Sequence, residues 1–292
     1  MSETKTGDWV DSHFHVFNRQ ELSYGWLDEY SDALHQLLGD YRPLNKAYPP
    51  TDYFADARPA GLTKAIHCEA VFGANSIGET AWLQSVADQS SIPLALIAWA
   101  DLTAPDIEFQ LDRHSAYPAF RGVRMLWGAD AASSPAFRRG YEALATRNLI
   151  YEVASLWNNC FEDVARLADD FPNTQIVLQH LGLPIQHDDA YLSDWRRAMA
   201  HLGKRSNIAC KLSGFGMFDH AWTVERMRPY VHSVVDAFGT DRCFFGSNWP
   251  VDSLYGRSYV ELIDAYRAAI SDQTPEARIA MLSGNASRIY RI

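Results

Sequence analysis

Two histidines stand two residues apart in the apolar run WVDSHFHVF, as Asp11-Ser12-His13-Phe14-His15. On an extended strand alternate side chains share a face, so Asp11, His13 and His15 are expected to project together. Imidazoles spaced this way can chelate a borderline divalent cation such as zinc. Further polar groups interrupt or close other apolar runs: His67 and Glu69, Arg124, Glu152, His180, Lys211 and Ser213, then Asn248 and Asp252. Burying so many of them is costly unless they pair or meet a ligand. Isolated histidines are more often surface or hydrogen-bonded core residues, and His35, His114, His187, His201, His220 and His232 are read that way.

Eight β-rich runs carry these groups, at 9–17, 63–71, 93–102, 120–127, 149–155, 174–182, 207–216 and 242–250. Stretches of helical periodicity separate them, and Ser134-Pro135 and Thr274-Pro275 place proline where a first helical turn tolerates it. Alternating strands and helices imply a parallel sheet, and eight units in 292 residues match an α/β (β/α)8 TIM barrel. A doubly wound sheet is second choice, because no Gly-x-Gly-x-x-Gly turn follows the first strand. The chain is expected to be one barrel domain over 1–292, with a long irregular insertion at about 18–62. That insertion is expected to act as lid or wall, with Tyr24, Trp26 and Tyr48 as its aromatic members. A barrel gathers reactive groups at the C-terminal ends of its strands, where the polar residues above fall.

Composition narrows the functional classes. A net charge of −10 opposes nucleic acid and anionic membrane as partners. Cys68, Cys160, Cys210 and Cys243 are far apart, and three lie in apolar segments, as expected of reduced, buried thiols. No apolar signal core opens the sequence and no run is long enough to span a membrane, so a soluble, cytoplasmic protein is expected.

The motifs DSHFHVF, HCEA at 67–70, FRGVR at 120–124, VLQHLGLP at 177–184, KLSGFGMF at 211–218, FFGSNWPVD at 244–252 and GNASRIY at 284–290 resemble, in order, the amidohydrolase superfamily. They are most similar to amidohydrolase family 2, in its lactonase-like branch of sugar lactonases and pyrone-dicarboxylate lactonases. The resemblance implies metal ligation by His13, His15, Glu69 and His180, with Arg124 holding a substrate carboxylate or hydroxyl. The chain departs from it at Asn248, where many relatives carry the proton-transferring aspartate. An amide has no useful basicity near neutrality, so the base role is expected to pass to His180, Glu69 or Asp252. No lysine fits a bridge between two metals, so one divalent ion, zinc first, or none is expected.

The expected reaction is water attack on a lactone of a sugar acid or related carboxylated catabolic intermediate. His180, Asn248 and Asp252 are the catalytic candidates, and Arg124, Trp127 and Trp249 the substrate contacts. A metal would activate the water and polarise the carbonyl; without one, the histidines would donate to the oxyanion. The alternatives are a metal-dependent non-oxidative decarboxylase on the same fold, or a non-catalytic ligand-binding barrel. Substrate identity and oligomeric state, a homo-oligomer included, stay open.

Overall fold

The computed structural model describes residues 8–125 and 131–292. Eight strands form one parallel sheet in chain order: β1 (Trp9–Phe14), β2 (Leu62–Cys68), β3 (Leu94–Trp99), β4 (Phe120–Met125), β5 (Ile150–Val153), β6 (Ile176–Leu178), β7 (Ile208–Leu212) and β8 (Cys243–Phe245). Each falls on one of the eight apolar runs. Most of these strands, β6, β7 and β8 throughout, are buried on both faces, which is why they read as nearly continuous hydrophobic segments rather than alternating ones.

The sheet curls into a nearly closed (β/α)8 barrel. At the seam, Ser12 Oγ donates to Phe245 O, Asn248 N–H to His13 O and His15 N–H to Trp249 O, each at 2.7 Å. Gly246 permits this approach, since a Cβ there would stand 2.7 Å from His13 Cβ.

The long connection after β1 is not irregular. It holds three short helices, α1 (Gly25–Asp28), α2 (Asp32–Leu38) and α3 (Pro50–Ala57). The outer layer then comprises α4 (Ser76–Gln89), α5 (Ile107–Ser115), α6 (Pro135–Thr146), α7 (Trp157–Asp170) and α8 (Asp189–Gly203). It is completed by α10 (Val224–Phe238), α11 (Tyr259–Ala269) and α12 (Pro275–Ile279), while α9 (Phe215–Phe218) lies at the rim after β7 and α13 (Asn285–Tyr290) ends the chain. Ser134 and Thr274 take the N-cap positions before Pro135 and Pro275, as the sequence predicts.

One apolar layer lies between barrel and helices, and a second fills the barrel, with Val10, Ile66, Ile97, Ile150, Val177 and Phe244 pointing inwards. Ala286, Ile289 and Tyr290 of α13 join that inner cluster and plug the end opposite the strand C-termini. All four cysteines are buried and free. No helix among the described residues is long and apolar enough to cross a membrane.

Candidate active site

The first strand does not hold its three polar side chains on one face. Asp11 pairs with Ala65 but Phe14 with His67, so β1 carries one residue more than β2 across this interval. Such a bulge breaks the two-residue alternation. Val10 points inwards, Asp11 points out to the helices, and His13 is returned to the interior. Asp11 therefore leaves the histidines and ties the seam together. Its Oδ2 accepts from Tyr53 (2.9 Å), Tyr259 (2.8 Å) and the Ser247 hydroxyl (2.6 Å), and its Oδ1 from Ser247 N–H (2.8 Å).

Three histidines meet at the strand ends. His13 Nε2 and His15 Nε2 are 3.1 Å apart, and the rings of His13 and His180 are 4.7 Å apart between centroids. His15 Nδ1 lies 2.9 Å from Cys68 O. A carbonyl only accepts, so the neutral ring carries its proton on Nδ1 and leaves Nε2 bare. Burial, with help from nearby Arg124 and Lys211, pushes His15 down to about 3 and His13 and His180 well below the usual imidazole range. All three are neutral at pH 7. His67 packs edge-on against Phe14 and, with centroids 6.1 Å apart, against His15, and it accepts from Val16 N–H.

Glu69 and Arg124 form a buried ion pair beside the histidines. Arg124 Nε donates to Glu69 Oε1, Nη2 to Glu69 O (3.0 Å) and Nη1 to Gln179 Oε1 (3.0 Å). Glu69 Oε2 has no hydrogen-bond partner although it is buried. Burial lifts this carboxyl to about 8, with Arg124 opposing the rise. Beneath it, Lys211 Nζ lies 2.9 Å from Glu152 Oε2, 3.4 Å from His13 Nδ1 and 3.6 Å from Cys68 Sγ. Gln179 and Tyr290 also donate to Glu152. Ligand atoms of His13, Cys68 and Glu152 come within 4.8 Å of one another, but the Lys211 ammonium is already the cation among them.

Asn248 Nδ2 donates to Asp252 Oδ1 at 2.9 Å, which fixes the amide and leaves its oxygen as an acceptor. Burial raises Asp252 to about 7. Asn248 lines the cavity above the histidines and Asp252 stands behind it. The backbone here is strained. His180, Leu181, Gly182 and Leu183 have φ between 50° and 73°, and Asn248 has φ 54°. Side-chain-bearing residues rarely take that left-handed region, and such strain tends to gather at working sites. His180 Nδ1 contacts Ser213 Oγ at 2.9 Å. Gly214, at φ 64°, makes room for that ring, because a Cβ there would lie 2.6 Å from His180 Nδ1.

The cavity at this rim, about 260 Å³, has His15, Glu69, Arg124, His180 and Asn248 as its polar lining. Trp26 and the α2 leucines wall it, so the long connection is part of the site. Of the aromatic candidates, Trp249 lies outside this cavity: its Nε1 donates to Asp56 Oδ2 (2.9 Å) and its ring packs edge-on to Tyr259. Tyr24 and Tyr48 are packing residues, bonded to Asn18 N–H and Asp56. Trp127 lies outside the described residues. Gln179, Gly214 and Tyr290 escape the sequence reading. Gln179 alone carried a signal, as an amide inside the run VLQHLG.

The donors suit a single divalent ion at one edge. Two nitrogens 3.1 Å apart, each about 2.05 Å from an ion, subtend roughly 100°, within reach of a four-coordinate site. The Nδ1–H of His15 on Cys68 O is the kind of outer hydrogen bond that orients a metal-bound imidazole. Glu69 offers only its unpartnered Oε2, since Oε1 is held by Arg124.

The amidohydrolase family model matches residues 10–292. The protein y4mH of Sinorhizobium fredii is 37% identical, with 97% of this chain and 98% of its own length covered. An L-fucono-1,5-lactonase of Burkholderia ambifaria is 26% identical over 97% of this chain and 95% of its own. A zinc-bound crystal structure of an amidohydrolase from Burkholderia multivorans superposes with a TM-score of 0.81 at 25% identity, covering 97% of this chain and 99% of that one. The chain thus belongs to the amidohydrolase family, in its lactonase-like branch, and is a hydrolase.

Proposed function

We propose that the protein opens a lactone, with Glu69 as the base that replaces the aspartate absent at position 248. The observation that carries this reading is the Glu69 carboxyl, whose Oε2 is buried without a partner and whose pKa is lifted to about 8. A base is most effective when its pKa lies near the working pH. Asn248 cannot take a proton, and Asp252 is separated from the cavity by the Asn248 amide.

Water attacks the carbonyl carbon as Glu69 removes its proton. His180 donates from Nε2 to the oxygen that becomes negative, a role that requires Nδ1 to be the acceptor in its 2.9 Å contact with Ser213 Oγ. The ring C–O bond then breaks, and protonated Glu69 returns its proton to the departing alkoxide, giving the open hydroxy acid. Arg124 keeps Glu69 aimed through Nε and Nη2, with Nη1 on Gln179, and lines the cavity where substrate would sit. Asn248 accepts a hydrogen bond from the attacking water. A divalent ion, zinc first, would be held by His13 and His15 and would acidify bound water and polarise the carbonyl.

The test is proton release from a panel of lactones in a pH-indicator assay, before and after chelation. Acid release abolished in His180→Ala supports lactone opening, and loss on chelation with recovery on zinc assigns the ion a role. Proton consumption with an aromatic acid would instead reveal a decarboxylase. Silence throughout, with saturable ligand binding, would leave only a binding barrel.

A further inference from the structure

The walls of the cavity speak to what the substrate carries. All the polar groups facing it among the described residues, His15, Glu69, Arg124, His180 and Asn248, stand with the catalytic cluster. The long connection offers only hydrocarbon and indole. On α2, Leu34, Leu37 and Leu38 follow the i, i+3, i+4 spacing of one helical face and line the cavity with Trp26. Arg124, the cation expected to grip a carboxylate, already gives Nε and Nη2 to Glu69 and Nη1 to Gln179.

A second groove continues from the first. It shares Leu37, Ala154, Leu183 and Met217 with the catalytic cavity and runs on past Leu156, Ile185 and Phe218, with a volume of about 720 Å³. Ile185 is 37% exposed there. Its polar lining is Gln36, Ser155, His187, Asp219 and His220; of these Asp219 is paired with Arg226 at 2.6 Å, His187 Nδ1 lies 3.0 Å from the Tyr230 hydroxyl and His220 stacks on Tyr255. Hydroxyls of a sugar lactone would meet leucine, alanine and methionine where the two cavities join, and lose their water there without gaining a partner. A hydrocarbon chain would lose only unfavourable hydration.

We infer that the substrate is a lactone bearing an uncharged hydrocarbon substituent, which leaves the catalytic cavity along the groove between α2 and the loops after β5, β6 and β7. This rests on the lactonase reading above and narrows it, away from polyhydroxylated sugar-acid lactones. The lactone ring sits over Glu69 and His180 while the chain runs over Leu37, Leu183 and Met217.

The experiment is kcat/KM for δ-lactones with side chains from methyl to heptyl, beside a sugar δ-lactone, and calorimetric binding of the matching alkyl δ-lactams as unreactive isosteres. Each methylene that enters the groove should raise kcat/KM by up to about fourfold, and Leu37→Gln should flatten that slope. A sugar lactone turned over better than the heptyl compound, or no dependence on chain length, would overturn the inference. Should no lactone open while lactam affinity still climbs with chain length, the apolar site stands and the reaction assigned to it falls. Absence of both overturns both.

Discussion

Gly214→Ala tests whether the position of His180 matters to the chemistry. Gly214 has φ 64°, and an added Cβ would lie 2.6 Å from His180 Nδ1. Forcing alanine into that left-handed conformation costs about 1–2 kcal/mol. In addition the imidazole must retreat by roughly 0.8 Å to reach ordinary contact at 3.4 Å. That shift pulls Nδ1 from its 2.9 Å contact with Ser213 Oγ and moves Nε2 off the carbonyl oxygen it serves. A misplacement near 1 Å can cost about a hundredfold in rate. The expected result is a melting temperature lower by roughly 2–8 °C, with kcat for lactone opening down at least about fiftyfold and KM little changed. Ser213→Ala should reproduce much of the kcat loss without the backbone strain. If Gly214→Ala melts lower but keeps normal kcat, His180 is not held for catalysis and the donor role fails.

Asn248→Asp places a carboxylate beside Asp252 Oδ1, where the amide now donates at 2.9 Å; the two acids would share a proton and the second ionisation of the pair would be pushed up. Its kcat/KM at pH 7 should fall about tenfold, and a rise would restore the base role to position 248. Asp11→Ala removes the shared acceptor of the Tyr53, Tyr259 and Ser247 hydroxyls at the barrel seam, at about 1–3 kcal/mol for each buried hydroxyl left without one, with Ser247 able to fall back on His13 O; a urea midpoint within error of the parent would show the seam does not depend on it. Stability should also fall as pH rises from 7 to 9. Glu69 and Glu79 are lifted by burial to about 8 and Asp252 to about 7, so the unfolded chain sheds these protons first and the folded state loses ground until they leave. A urea midpoint higher at pH 9 than at pH 7 would contradict those raised values, and Glu79→Gln should lessen the drop.

The barrel was legible because strands buried on both faces leave unbroken apolar runs, and most of the long helices between them show their own period, α4 excepted. His180, Glu69 and Arg124 were legible as polar interruptions of such runs. The direction of Asp11 was not, because the extra residue on β1 depends on pairing with β2 and leaves no mark on the local pattern. The packing place of Trp249 was hidden for a related reason: its partner Asp56 lies far away in the long connection. Helix α2 did carry a signal in Leu34, Leu37 and Leu38, but seven residues are too few to hold a helix without tertiary packing. Tyr290 gave no warning at all, since its reach to Glu152 runs through the barrel interior.

The pH profile of kcat/KM for Glu69→Gln against the parent bears most directly on how this site works. In the parent, lactone opening should climb with pH and level off above about 8, where the Glu69 carboxyl is ionised. In the variant, that limb should vanish and the plateau drop by about a hundred- to ten-thousandfold. A variant that keeps both the limb and the rate would place the base elsewhere and overturn the proposed mechanism.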